Sequence, residues 1–266
     1  MSMISRKLGI IADCIQNQTP ETNLPLIKEA GFDCFFTHHT DENTIRLLKR
    51  ESERLGLEFE FIHGPLHGSN DLWLQGDACK PLLSDILQTI DNAANYGVDT
   101  VILHVSSGWT PPPVCDIGLA RFDGIVDYAK KRGVKLALEN LRKLGNLACL
   151  MERYEKIDHV GFCYDCGHEH CYTKTVPFLD LYHDKLLCTH IHDNFGKTDD
   201  PNAHDDLHLL PFDGNLNFKK VASKWNEYGY KGSLMLEVFN HHIYENTSAQ
   251  DFLTLAFEKV KKLHSL

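Results

Sequence analysis

Six short apolar runs in this chain end in a residue that can ligate a metal or carry a proton. Phe59-Glu-Phe-Ile-His63 and Val101-Ile-Leu-His104 end in imidazoles, and Lys135-Leu-Ala-Leu-Glu139 ends in a carboxylate followed by Asn140. Gly161-Phe-Cys-Tyr-Asp165, Leu186-Leu-Cys-Thr-His190 and Ser233-Leu-Met-Leu-Glu237 complete the set. A carboxylate at the end of a buried strand is costly to desolvate unless a cation or hydrogen bonds hold it. Asp165-Cys-Gly-His168 adds an imidazole just past its run, and Asp206-Leu-His208 adds two donors in a long loop after the seventh strand. The candidates are therefore His63, His104, Glu139, Asp165, His168, His190, Asp206, His208 and Glu237. Any one alone reads as a hydrogen-bonded side chain or a helix cap. Six on separate runs point to a metal site. Mixed imidazole and carboxylate donors suit Zn²⁺, Mn²⁺, Co²⁺ or Fe²⁺ better than Mg²⁺ or Ca²⁺.

Such a cluster needs elements that bring distant residues to one place. Strands are expected at 8–13, 32–38, 57–63, 100–105, 134–140, 160–165, 187–192 and 233–239, with helical stretches between them. Several helices end in glycine, at Gly31, Gly56, Gly97, Gly133 and Gly229, where a left-handed stop is needed. Thr19-Pro-Glu-Thr and Ser248-Ala-Gln-Asp read as capped helix starts. A strand-helix repeat of about 30 residues implies a parallel sheet. Eight repeats close most simply into a single α/β domain, a (β/α)8 barrel over residues 1–266. An open doubly wound sheet is disfavoured, because no glycine-rich turn follows the first strand.

Side chains alternate along a strand, so residues two apart share a face. His63, His104, Glu139, Asp165, His190 and Glu237 then point inward with Phe61, Ile102, Ala137, Cys163, Cys188 and Met235. Leu103, Leu138, Phe162 and Leu236 face the helices. Odd spacing also separates Cys163 from Cys166, which argues against a redox pair. In barrels of this class the chemistry sits at the carboxyl-terminal ends of the strands.

Composition limits the partners. The chain has 266 residues, 42% of them apolar, and a net charge of −10. That charge argues against a general nucleic-acid or anionic-membrane surface. No apolar run approaches the roughly 20 residues of a membrane span, and no secretory signal is apparent. Nine unpatterned cysteines fit a reduced interior, so a cytoplasmic location is expected.

At these residues the chain resembles the xylose-isomerase-like TIM barrels, a superfamily of sugar and sugar-phosphate isomerases and epimerases that also holds the endonuclease-IV-type abasic-site endonucleases. The resemblance spans the whole chain. It rests on Ala137-Leu-Glu139-Asn140, Asp165-Cys-Gly-His168, His190-Ile-His-Asp193, Asp206-Leu-His208, Phe212-Asp-Gly-Asn215 and Leu236-Glu237. It implies one divalent metal held by Glu139, Asp165, His190 and Glu237, with the two glutamates doubling as acid and base. For the endonucleases it implies three zincs, held by those four residues with His63, His104, His168, Asp206 and His208.

The loops favour a small substrate over DNA. Gripping a phosphate backbone takes Lys and Arg, yet residues 57–79 and 100–120 contain neither. The second loop, His38-His-Thr-Asp-Glu-Asn43, is acidic. Arg142, Lys143, Lys174 and Lys197 are the chief cations expected near the mouth, enough for one phosphate or sugar acid. Trp73 and Trp109 are expected in loops where an indole either walls a sugar or packs. His67 and His192 read as near the site, supporting it or on the surface rather than ligating, and Lys130-Lys-Arg132 and residues 259–262 as solvated helix ends.

The expected activity is metal-dependent isomerisation or epimerisation of a small sugar, sugar phosphate or inosose. Glu139 and Glu237 would remove and return a proton, and a hydride shift is the other route. His168, His208, Trp109, Arg142 and Lys197 would bind substrate, with His168 and His208 instead ligating further metals if more than one ion is held. The alternatives are a trinuclear zinc endonuclease, a polyol lyase or dehydratase, or a barrel that binds a sugar without turning it over. A homo-oligomer is compatible with the sequence.

Overall fold

The computed structural model of the chain describes residues 4–200 and 202–266. All eight apolar runs become strands: β1 (Leu8–Ile11), β2 (Cys34–Thr37), β3 (Glu58–His63), β4 (Thr100–His104), β5 (Lys135–Glu139), β6 (Val160–Asp165), β7 (Leu186–His190) and β8 (Leu234–Leu236). They pair in parallel in the order β7-β6-β5-β4-β3-β2-β1-β8. Closure falls just past β7, where Ile191 N–H donates to the Met235 carbonyl at 2.9 Å and Glu237 N–H to that of Ile191 at 3.1 Å. The result is the expected (β/α)8 barrel.

The helices are α1 (Pro20–Ala30), α2 (Glu42–Leu55), α3 (Lys80–Tyr96), α4 (Asp116–Arg132), α5 (Leu144–Arg153), α6 (Cys166–Tyr172), α7 (Phe178–Tyr182), α8 (Phe218–Glu227) and α9 (Ala249–His264). Among the described residues, none is long and apolar enough to cross a membrane. The first four end on glycines at φ 110, 65, 66 and 72°, a conformation that costs glycine alone nothing. Ser248 caps α9 by accepting from Asp251 N–H at 3.1 Å. Thr19 makes no such side-chain bond, and α1 begins instead on the preset φ of Pro20.

Register brings the polar strand ends level. His104 lies beside Glu139 across β4 and β5, and Asp165 beside His190 across β6 and β7. Below this rim the interior is apolar. Phe36 stacks on His190 with ring centres 4.7 Å apart and contacts Phe61 at 5.0 Å. Phe162 points the other way, onto Phe178 and Tyr182 of α7. The alternation of faces is as expected.

Most strands are shorter than expected, and at β1 and β8 the shortening moves residues of the site. β1 stops at Ile11, and the Asp13 carboxylate turns to accept from Thr37 O–H at 2.9 Å and His38 N–H at 2.8 Å. β8 stops at Leu236, which leaves Glu237 and Phe239 on the loop beyond it. Trp73 is a packing residue. It is buried against Phe122 and donates Nε1–H to the Val105 carbonyl at 2.7 Å. Lys259 is no solvated helix end, since its ammonium holds Asp213 at 2.5 Å and the Pro211 carbonyl at 3.2 Å.

Candidate metal centre

Glu139, at the end of β5 and 1% exposed, is the hub of the cluster. Its Oε2 lies 3.1 Å from His63 Nε2 and 3.3 Å from His104 Nε2. Its Oε1 lies 3.2 Å from His168 Nδ1 and 3.3 Å from His190 Nδ1. Glu237 Oε2 approaches that same His190 nitrogen at 3.4 Å, and Asp165 Oδ2 at 3.9 Å. Donor atoms of Glu139, Asp165, His190 and Glu237 thus fall within 4.8 Å of one another. A second group, His168, His192, Asp206 and His208, meets the same limit. All nine expected donors converge on one end of the barrel.

The surrounding backbone fixes which way these rings face. His63 Nδ1 bonds the Gly64 carbonyl at 2.8 Å, His168 Nδ1 that of Asn140 at 3.0 Å, and His208 Nδ1 that of Glu237 at 2.9 Å. A ring that donates Nδ1–H to a carbonyl keeps Nε2 free for a metal. Asn140 brackets Asp165 by accepting from its N–H and donating to its C=O, both at 2.8 Å. Asp165 Oδ1 then caps α6 through His168 N–H at 2.6 Å, leaving Oδ2 to face the cluster. The loop carrying Asp206 and His208 is tied by Asp193, which accepts from Asn194, Phe212, Gly214 and Leu216 N–H at 2.8–3.0 Å. His208 holds φ 47°, a left-handed conformation unusual for a residue with a side chain.

The charges are buried and mutually dependent. Burial pushes the Glu139 carboxyl up, but His190 and His104 outweigh it and hold it well below the usual range. Glu237 is likewise held low against burial by His190, His38 and His208. Burial lowers His190, yet Glu237 and Glu139 drive it up to about 10. His208 reaches about 9 beside Asp206, again against burial. Even so, Asp165 Oδ2, His190 Nε2, Asp206 Oδ1 and His192 Nδ1 are buried with no hydrogen-bond partner. Orphaned donor atoms of this kind are costly without a cation. The set fits a divalent transition metal in mixed N and O ligation.

A family described as xylose isomerase-like TIM barrel matches residues 24–256, most of the chain. The chain belongs to that family. The uncharacterized protein MJ1311 of Methanocaldococcus jannaschii is 24% identical over 282 residues, covering 98% of this chain and 92% of its own length. Among solved structures, a D-tagatose 3-epimerase-like protein matches with a TM-score of 0.70 at 22% identity, over 96% of this chain and 98% of that one. The 3-keto-D-glucoside 4-epimerase YcjR of E. coli gives 0.72 at 18% identity, over 98% and 100%. At these identities the structural likeness concerns the fold.

Above the candidate metal-ligand cluster this xylose isomerase-like barrel opens into a cavity of about 450 Å³, walled by His38, His67, Ser107, Arg142 and Phe239 among others. His38 was absent from the sequence candidates, yet its Nε2 is 2.7 Å from Glu237 Oε1. His192, read as near the site and either supporting it or on the surface, is fully buried, stacks on His208 with ring centres 3.8 Å apart and falls within the second donor group. Of the expected substrate contacts, Arg142, His168 and His208 line the cavity, whereas Trp109 and Lys197 do not. Trp109 sits edge-on to Tyr172, and Lys197 is held by Asp205 at 2.5 Å.

Gly167 gives a direct test of the second donor group. A Cβ there would lie 2.1–2.5 Å from the His192 ring. Gly167→Ala must therefore displace a buried imidazole, and a loss of about 1–3 kcal/mol of stability is expected for such overpacking. Bound metal should fall with it. Unchanged melting temperature and metal content would show that His192 is free to move.

Proposed function

We propose that this protein is a metal-dependent isomerase or epimerase of a small sugar, sugar phosphate or inosose, working by proton transfer between glutamates and a carbon beside a carbonyl. One observation carries the reading. Two buried carboxylates held charged, Glu139 and Glu237, flank a single point near His190 beneath a cavity sized for a small polyol. The two solved structures compared above, one an epimerase and one described as epimerase-like, support it through the shared fold.

A divalent metal bound by Glu139, Asp165, His190 and Glu237 would polarise vicinal oxygens of a keto polyol and acidify the hydrogen between them. The protein supplies the remainder. An ionised carboxylate accepts that proton, and burial keeps water from competing for it. His38 bonds Glu237 Oε1, which fixes the carboxylate and gives it a partner when its charge changes. Two bases on opposite sides of one carbon invert it. One base serving two adjacent carbons moves the carbonyl instead. His168 and His208, each anchored at Nδ1, present Nε2 to a hydroxyl or to a second metal.

The test is hydrogen exchange. Metal-loaded protein in deuterium oxide, given a panel of ketohexoses, ketose phosphates and inososes, should wash the hydrogen beside the carbonyl out of one of them, followed by proton NMR. Absence of exchange throughout the panel would argue against open proton transfer and for a hydride shift or another reaction. The nine donors also suit a three-zinc abasic-site endonuclease, so an abasic duplex belongs in the same assay. Weak, salt-sensitive binding and no cleavage are expected, because loops without Lys or Arg neutralise few phosphates. Efficient cleavage would replace the sugar reading with the endonuclease one.

A further inference from the structure

The four cations expected near the mouth have different fates in the fold. Lys197 is occupied by Asp205, Lys143 lies over the exposed Trp109 ring at 5.6 Å, and Lys174 is exposed and absent from the cavity wall. Only Arg142 of these four lines the cavity. Its guanidinium stacks on the Tyr172 ring, 4.2 Å from the ring centre, and Nη2 donates to Tyr172 Oη at 2.8 Å. Tyr172 O–H in turn donates to Asp206 Oδ2 at 3.1 Å, so the stack is anchored to the metal-ligand cluster. Among the described residues, no carboxylate lies within ion-pair distance of Arg142.

A guanidinium fixed in this way keeps Nε–H, Nη1 and the second Nη2 N–H unused by any partner among the described residues, so one edge, Nε–Nη2 or Nη1–Nη2, remains a fork for two oxygens of an anion. The rest of the cavity argues for where that anion sits. Asp206 and Glu237 line its inner part and would repel a negative group, so the favourable place is the wall that Arg142 forms. We infer that Arg142 is an oxyanion subsite, and that the substrate is a keto polyol bearing a carboxylate or phosphate remote from its reacting carbon. This deepens the proposed function and rests on it for the keto polyol, while the subsite itself is tested without turnover.

The measurement is calorimetric titration of the metal-loaded full chain with D-fructose, D-fructose 6-phosphate and D-fructuronate. At least one of the two acids should bind wild type about 10–100-fold more tightly than fructose, the range for a charge-assisted bidentate contact. Arg142→Met, similar in length but neutral, should erase that preference. Arg142→Lys, which keeps charge but loses the fork and the stack, should retain part of it. Melting curves check that both variants fold. Which acid is favoured identifies carboxylate or phosphate as the group read. Equal binding of acid and neutral ligands, binding of none of the three, or a preference that survives in Arg142→Met and so comes from the metal, would each overturn the subsite. Arg142-dependent binding with no deuterium exchange across the panel would remove the isomerase reading and leave the oxyanion site standing.

Discussion

Glu237→Gln is expected to lower turnover by a factor on the order of 10² or more, the usual contribution of a positioned acid–base group. The carboxylate has two tasks that this substitution separates. Its Oε2 faces His190 at 3.4 Å among the metal donors, and its Oε1 faces His38 at 2.7 Å on the cavity side. Glutamine keeps the shape and one oxygen for ligation but cannot take a proton from carbon. Metal content must be measured in the variant, so that lost ligation is not mistaken for lost basicity. Glu139→Gln would confound the two, because Glu139 also meets His63, His104 and His168. Full turnover in metal-replete Glu237→Gln would remove this residue from the proton path.

Stripping the metal with a chelator should abolish deuterium exchange, at a cost of several kcal/mol in the barrier, and lower the melting temperature. The histidines make both effects depend on pH. His190, raised to about 10, and His208, raised to about 9, are protonated in the metal-free chain at pH 7. A ligand must be neutral, so loading releases protons and apparent affinity should climb as pH rises from 7 toward 9. Stability of the metal-free chain runs the other way. A folded pKa above the unfolded value of about 6.5 contributes stability below that pH, which is lost as pH rises through 9 to 10. Titrations in two buffers of different ionisation heat would count the protons released. Chelation that changes neither exchange nor melting temperature would reduce the cluster to a hydrogen-bond network.

The sequence alone determined the strands, their inward faces and the nine donors, because each rests on a local rule. Period-two alternation set the side on which His63, Glu139 and Asp165 emerge, and left-handed glycines marked where four helices stop. His192 and His38 were legible by the same rules. His192 is two residues from His190 and so shares its face, and His38 ends the run Cys34-Phe-Phe-Thr-His38 as the other donors end theirs. What the sequence could not supply was any choice made by residues far apart in the chain. The local pattern carried β1 through Asp13, and only the fold ends it at Ile11 and turns Asp13 onto Thr37 and His38. Four cations were equivalent on paper; contacts with Asp205, Trp109 and Tyr172 occupied or displaced some and left Arg142 on the cavity wall. Whether Glu139 meets one imidazole or four depended on barrel closure, since His63, His104, His168 and His190 come from different segments of the chain. Alternation fixes the direction of a side chain within its strand, but the energy of a buried charge depends on every group the fold brings within reach of it.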